Sequence, residues 1–357
     1  MADQTRLPLI PEEVTASWLT EVLKVNVKSM ELKKVVSGTA SKLFVNINYE
    51  DSTSTDKTTL RLISLCIKGG FNPSFIEQVP WIVMMYRLEV EFFNRVAPSL
   101  RHIEIPKIWW AGCNPKQGIV VMDDLSKSCE FGRPTETWPI TRVLAGVEQL
   151  AALHASTWGI KPTDYAWLTS DYDQAILTLM QTFDDVVHGP DRPVVHDYLK
   201  DQKRVTDVLR KHYASRNPKF RCLLHGDPHT GNTYIEDGAP RFLDWQVIHI
   251  GSAFHDVSYF IGGALSTEDR RVHEYEILEH YLAALAKLGG PAFSSKDEDV
   301  LQEYRKSFLA GIGWIMCPYE MQPKECVDAM VRRYAAALDD HKTLELVESL
   351  SLHSSSQ

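Results

Sequence analysis

The 357-residue sequence carries 38 basic and 47 acidic side chains, a formal net charge of −9, and 44% apolar residues. This apolar fraction supports a large core, which excludes disordered and collagen-like chains. The acidic balance disfavours nucleic-acid binding. No segment approaches the ~20 consecutive apolar residues of a membrane span, and the opening residues lack a signal-peptide pattern. The six cysteines form no Cys-x-x-Cys pair, so we expect reduced thiols in a cytoplasmic protein.

Residues 1–122 predict a small, strand-rich lobe. A helix over residues 11–23 opens it, because Val14, Trp18 and Val22 share one helical face. A second, longer helix is predicted to end before Pro98. Its span is 76–96, and the strands are predicted over 32–37, 43–49, 59–68, 106–110 and 118–122.

From residue 127 to 350 the apolar residues mostly recur with a helical period. Helices are predicted over residues 141–157, 173–187, 195–213, 268–288, 298–316 and 325–349. The strand signal in this part is limited to the region from 221–224 to 241–244, and residues 351–357 predict a frayed tail. The sequence therefore predicts an α+β fold of two lobes, joined by a hinge at residues 123–126.

The segment Leu-His-Gly-Asp-Pro-His-Thr-Gly-Asn, which ends at Asn232, carries the strongest chemical signal. Asp227 precedes Asn232 by the spacing of the kinase catalytic loop, and a second carboxylate follows at Asp244. In phosphoryl transfer, one aspartate accepts the proton of the attacking hydroxyl, while an asparagine and a second aspartate hold Mg²⁺. The simpler interpretation is a loop whose polar side chains only cap turns.

The histidines of this segment allow a different interpretation, a metal-dependent hydrolase. His225, Asp227 and His229 alternate, so a regular strand would direct all three to one side as metal ligands. Pro228 and Gly231 disfavour such a strand. The chain also lacks the His-Glu-x-x-His pattern of zinc proteases, so the hydrolase is the weaker alternative.

The strand-rich part contains a candidate phosphate-binding lysine. Leu65-Cys-Ile-Lys68 is similar to the kinase strand whose lysine contacts the α- and β-phosphates, although a lone lysine at a strand end is usually a solvated surface residue. The next predicted helix offers Glu89 or Glu91 as its partner, and we favour Glu89. The turn Ser-Gly-Thr-Ala-Ser-Lys, with Ser37 and Thr39, could contact phosphates through backbone N–H groups and hydroxyls.

The sequence resembles the aminoglycoside phosphotransferase and choline kinase superfamily, and within it the ecdysteroid-kinase-like branch. The segments that carry the resemblance keep the family's order along the chain. They are the Lys68 strand and residues 89–93, 120–126, 149–155, 225–232, 243–246 and 255–259.

The resemblance implies a protein-kinase-like fold and ATP- or GTP-dependent phosphorylation of a small-molecule hydroxyl. A secondary metabolite, an amino alcohol or a sterol-like compound would be the acceptor. By motif match, Asp227 resembles the catalytic aspartate, and Asn232 and Asp244 resemble the Mg²⁺ ligands. Lys68 and Glu89 resemble the pair that anchors the phosphates. A nucleotide-binding pseudokinase or scaffold is the alternative, and the presence of these residues argues against it.

The resemblance also implies roles for three other parts of the chain. Residues 122–125, which include Asp123 and Leu125, resemble the hinge whose backbone binds the adenine edge. Asp256 resembles the buried aspartate that braces the catalytic loop. Trp-Gln replaces the Phe-Gly that follows the metal-binding aspartate of protein kinases, which implies a lobe without their activation-loop switch.

The acceptor site is the least determined part of the sequence. Trp314, Tyr319, Tyr259 and Trp167 could form an aromatic wall for a cationic or flat apolar ligand. Aromatic residues at helical spacing are more often ordinary core, and we favour that interpretation.

Overall fold

The computed structural model describes residues 6–50, 60–168 and 172–351, so most of the predicted tail lies outside the described residues. The chain divides into two compact units. The first comprises residues 1–99, 105–129 and 244–247, and the second comprises residues 100–104, 130–243 and 248–357. The lobe boundaries at 122 and 127 stay a prediction, because compactness does not locate a hinge.

The first unit is built on a five-stranded antiparallel sheet with the order β1-β2-β3-β5-β4. Alternate residues of β2 are buried, as expected for a strand with one face against a core. The strands are β1 Val27–Val36, β2 Ser41–Glu50, β3 Leu60–Gly69, β4 Ile108–Asn114 and β5 Gln117–Asp123.

The helices of this unit correct one expectation. The predicted single helix over residues 76–96 is divided, because Val79 precedes Pro80 and adopts φ −131°, ψ 69°, outside the helical region. Beyond the break, α3 continues as a π-helical turn, Phe92–Val96. The helices are α1 Ala16–Leu23, α2 Pro73–Gln78 and α3 Ile82–Glu91.

The second unit is mainly helical. Its helices are α4 Ile140–Thr157, α5 Tyr172–Leu179, α6 Phe183–Val187, α7 Gln202–Ala214, α8 Ala253–Ala264, α9 Thr267–Lys287, α10 Glu298–Ser307, α11 Ile312–Ile315, α12 Lys324–Asp340 and α13 Thr343–Ser349. Its strands are β6 Glu130–Phe131, β7 Arg221–Leu224, β8 Thr233–Glu236, β9 Ala239–Phe242 and β10 His249–Ser252, in two small sheets with the orders β10-β7 and β6-β8-β9.

Two departures from the predicted helices of this unit have local causes. Helix α7 begins at Gln202, later than predicted, because the Asp201 side chain accepts the Arg204 N–H and caps the helix. Helix α8 is absent from the predicted helices, because all its residues are buried and no exposed polar face marks it. The α+β class is nevertheless confirmed. Among the described helices, none is both long and apolar enough to cross a bilayer.

Candidate active site

The first unit brings three of the predicted residues together around one ammonium group. Lys68 Nζ, at the end of β3, lies 2.8 Å from Glu89 Oε2 on α3 and 3.0 Å from Asp244 Oδ1. Only 4% of the Lys68 side chain is exposed, so the usual solvated lysine is the wrong interpretation here. Glu91 instead pairs with Arg95 one helical turn away, so Glu89 is the lysine's partner, as predicted from the sequence.

The cluster places two carboxylates against one buried ammonium group. Burial acts to lower the pKa of Lys68, but Asp244 and Glu89 more than offset it, so its pKa is raised and it stays an ammonium ion. Burial raises the pKa of Glu89, although Lys68 opposes this shift. Asp244, with 27% of its side chain exposed, is the carboxylate of the cluster that is open to solvent. An additional cation beside Asp244 would therefore be favoured.

The segment 244–247 is fixed to the first unit by aromatic stacking. The Trp245 ring lies parallel to Phe92 of the π-helical turn, with centroids 3.9 Å apart. Asp244 itself has φ +66°, a left-handed conformation that aspartate adopts more readily than most residues. Trp245 thus holds the Asp244 segment against the π-helical turn that continues α3.

The predicted phosphate turn is attached to the same helix. The Tyr86 hydroxyl on α3 donates to the Thr39 carbonyl at 2.5 Å, and Tyr86 is buried. Ser37, at the start of the turn, is exposed. A role for Ser37 and Thr39 in binding phosphates stays a prediction.

The predicted hinge residues are held by their own contacts within the first unit. Trp109 Nε1 donates to Asp123 Oδ1 at 2.6 Å, and the Asp123 N–H donates to the Lys107 carbonyl. Leu125 starts a 3₁₀ turn that is capped by the Asp124 side chain. The adenine-binding role of this segment stays a prediction.

The catalytic-loop candidate in the second unit has a carboxylate with donors on both oxygens. Asn232 Nδ2 lies 3.0 Å from Asp227 Oδ2, and the Tyr259 hydroxyl donates to Oδ1 at 2.7 Å. His229 Nε2 lies 3.5 Å from Oδ2. Burial acts to raise the pKa of Asp227, but His229, Tyr259 and His225 outweigh it, so its pKa is lowered. About 37% of the side chain is exposed, so an anion accessible to a ligand is held in one orientation.

The glycine before Asn232 allows His229 to take part in this arrangement. The Gly231 N–H donates to His229 Nδ1 at 3.0 Å, which leaves Nε2 as the protonated nitrogen directed at Asp227. A Cβ atom at Gly231 would lie 2.8 Å from the His229 ring, closer than real Cβ contacts. The glycine is therefore required by this close approach.

One buried carboxylate, that of Asp256, holds the backbone of the catalytic-loop candidate. Asp256 on α8 accepts the backbone N–H of His225 at 2.7 Å and that of Gly226 at 3.0 Å. His154 Nε2 lies 3.1 Å from the same carboxylate and is itself fully buried. The contacts match the bracing role that the resemblance implied for Asp256, and His154 is an addition that the sequence did not reveal.

The histidine rings that were candidates for metal ligands contact other partners. His225 Nε2 lies 2.9 Å from the Leu243 carbonyl, and His229 Nδ1 accepts from Gly231. In the residues that the structure describes, no group of three or more His, Cys, Asp or Glu side chains could hold a metal.

Tyr259 is the functional candidate whose contact sequence reasoning missed. The sequence suggests Tyr259 only as part of an aromatic wall, whereas its hydroxyl contacts Asp227. Of the other aromatic candidates, Trp314 packs edge-on against His229, and Tyr319 donates its hydroxyl to Asp328. The available signal was the spacing of Tyr259 from Asp256, since residues three apart share a helical face.

Comparisons with known proteins identify the family of this chain. Residues 39–289, more than half of the chain, match the model of the ecdysteroid kinase-like family. The chain belongs to the ecdysteroid kinase-like family. The resemblance stated from its motifs is thereby confirmed. Comparison of this ecdysteroid kinase-like chain with curated proteins gives no match.

Solved structures similar to this ecdysteroid kinase-like chain share its fold at low sequence identity. A putative aminoglycoside phosphotransferase from Ralstonia eutropha has a TM-score of 0.54 at 11% identity, covering 94% of this chain and 98% of that one. Choline kinase from Cryptosporidium parvum has 0.51 at 11%, covering 94% and 93%. Amicoumacin kinase in complex with AMP-PNP, Ca²⁺ and Ami has 0.50 at 12%, covering 88% and 89%. These likenesses confirm the predicted protein-kinase-like fold class.

Proposed function

We propose that this protein transfers the terminal phosphoryl group of ATP or GTP to a hydroxyl of a small molecule. The observation that carries the proposal is the Asp227 carboxylate, which is anionic, partly exposed and fixed by donors on both oxygens. A hydroxyl that attacks phosphorus needs its oxygen directed in line and its proton accepted late. Asp227 has the charge and the orientation for both tasks.

The step balances as a simple substitution. The bond from the acceptor oxygen to the γ-phosphorus forms, the bond from that phosphorus to the bridging oxygen breaks, and Asp227 takes the hydroxyl proton. Lys68, held by Glu89, supplies positive charge for the phosphates of the nucleotide, and the nucleoside diphosphate leaves with the bridging oxygen.

The donor chemistry fits magnesium. Asn232 uses its amide nitrogen to bind Asp227, so its carbonyl oxygen is the atom that would ligate an ion, and Asp244 offers a partly exposed carboxylate. Oxygen ligands of this kind suit Mg²⁺ shared with phosphates. When bound, Mg²⁺ would neutralise charge on the phosphate oxygens.

The acceptor class is proposed from the family. It is named for ecdysteroid kinases, and two of the similar structures are kinases of choline and amicoumacin. We therefore propose a sterol-like compound, an amino alcohol or another secondary metabolite as the acceptor.

A product screen tests the proposal. The protein is incubated with Mg²⁺ and ATP or GTP and a panel of ecdysteroids, amino alcohols and aminoglycosides, and mass spectrometry detects any compound that gains a phosphate. We expect a phosphomonoester of one class that disappears with EDTA. Nucleotide binding with no product across the panel would favour a pseudokinase, and a product insensitive to EDTA would contradict the magnesium assignment.

A further inference from the structure

Helix α8 contacts the catalytic-loop candidate at three points on one face. His255 Nε2 lies 3.2 Å from the Gly226 carbonyl, and Asp256 accepts two backbone N–H groups of the loop. Tyr259, the third contact, donates directly to the Asp227 carboxylate at 2.7 Å. The first two contacts hold backbone, whereas the third holds the group to which we assign proton acceptance.

The position of the Tyr259 ring is fixed by its neighbours. It is 7% exposed, and its ring is nearly parallel to His255 on one side (centroids 6.2 Å apart) and stacked with Tyr334 of α12 (5.2 Å). The Tyr334 hydroxyl donates to the Tyr259 carbonyl at 2.6 Å. Because the ring is buried and packed against these two neighbours, the phenol has little freedom to follow the carboxylate, so the carboxylate is oriented by the phenol.

The number of donors shows what this orientation achieves. A carboxylate has about four lone-pair sites. Within the described part of the chain, three donors reach Asp227: Asn232 and His229 on Oδ2, and Tyr259 on Oδ1. The remaining site is on Oδ1, beside the phenol.

We propose that Tyr259 is a positioning residue that fixes the rotation of the Asp227 carboxylate, so that Oδ1 meets the acceptor hydroxyl. The inference rests on the proposed function. Without the phenol hydroxyl, Asn232 still holds Oδ2, but the carboxylate can turn about its Cβ–Cγ bond and less often presents Oδ1 to the hydroxyl. Turnover therefore falls, while nucleotide contacts are untouched.

The test compares two tyrosine-to-phenylalanine variants. Tyr259→Phe removes the hydroxyl bonded to Asp227 and keeps the ring. Tyr198→Phe is the matched control, because the Tyr198 hydroxyl also donates to an aspartate of the same unit, Asp339. Initial rates are measured with Mg²⁺-ATP and the panel compound that the wild type phosphorylates fastest, and by phosphate release with water as the acceptor.

We expect kcat of Tyr259→Phe to fall about 10- to 100-fold, while its KM for ATP stays within about twofold of wild type. For Tyr198→Phe, both kcat and KM for ATP should stay within about twofold of wild type. In an Asp227→Asn background, Tyr259→Phe should cost nothing further, because the carboxylate it orients is gone.

If Asp227→Asn is itself strongly impaired, two results would overturn this inference alone. One is a kcat of Tyr259→Phe equal to that of Tyr198→Phe. The other is a further loss of kcat when Tyr259→Phe is added to Asp227→Asn. An Asp227→Asn variant with wild-type turnover would instead remove the proposed function together with this inference.

Discussion

At the scale of single residues, the Lys68 cluster shows which contacts a sequence can predict. The pairing of Lys68 with Glu89 follows from a strand end and a helix nearby in sequence, and the structure has it. The second partner of the lysine, Asp244, lies far along the chain. Sequence spacing carries no information on such a contact.

Replacing the lysine should remove activity and some stability. Lys68→Met leaves two carboxylates without their cation and the phosphates without positive charge, so we expect kcat to fall about 100-fold or more. The folded protein should also lose stability, since an unpaired buried carboxylate is costly. Steady-state rates and thermal melts measure both effects.

The controls for this prediction lie in the same unit. Glu89→Gln should be milder, because Lys68 keeps Asp244, and Lys34→Met on the exposed face of β1 should change neither rate nor melting temperature. A folded Lys68→Met protein with turnover near wild type would show that the lysine does not act on phosphates.

At the scale of secondary-structure elements, helix α8 was the main omission from the sequence prediction. Helices with an exposed polar face reveal themselves by their period, as α4 does. Helix α8 is buried on every side, so it has no exposed polar face. Yet it holds the loop through His255, Asp256 and Tyr259, so the least predictable helix is the one that positions the candidate site.

The Asp256 brace predicts a pH-dependent stability. Burial acts to raise its pKa, but the hydrogen bond and charge of His154 and the nearby His255 and His225 lower it to about 2. An unfolded aspartate has a pKa of about 4, so the folded state favours the charged form. The resulting stabilisation, roughly 2 kcal/mol, is complete above about pH 4 and is lost as the pH falls toward 2.

We therefore expect Asp256→Asn to lower the free energy of unfolding by about 3 kcal/mol at pH 7. In urea titrations from pH 7 to pH 2, the difference in the free energy of unfolding between wild type and Asp256→Asn should become smaller below pH 4. Asp207→Asn on exposed α7 is the control and should leave the urea midpoint nearly unchanged. A difference in the free energy of unfolding that stays constant down to pH 2 would show that the charge of the Asp256 carboxylate is not its cause.

At the scale of the whole molecule, the fold class could be predicted, whereas the place of residues 244–247 could not. The strand-rich and helix-rich parts of the chain differ in the period of their apolar residues, which is why the α+β class could be predicted. The structure confirms this prediction. Residues 244–247 belong to the first compact unit although they follow β9 of the second. Periodicity treats the chain as contiguous segments, so it could not predict this exchange.

The Asp244 segment should link nucleotide binding to magnesium. With ATP at about 100 times its dissociation constant, we expect about 2.7 kcal/mol of added stability. That gain should appear in thermal melts only when Mg²⁺ or Mn²⁺ is present, and Asp244→Ala should lose it. Asp185→Ala, an exposed position on α6, should keep it. Equal stabilisation of Asp244→Ala and wild type would contradict the assignment of Asp244 as a metal ligand.

The central claim is that Asp227 accepts the proton of a hydroxyl attacking the γ-phosphate, and one comparison tests it most directly. Nucleotide affinity and phosphorylated product are measured on the same preparations of wild type and Asp227→Asn. We predict nearly equal affinity for Mg²⁺-ATP and a rate about 10²–10⁴-fold lower in the variant. Product formation by Asp227→Asn at the wild-type rate, or a loss of nucleotide affinity as large as the loss of rate, would contradict the account.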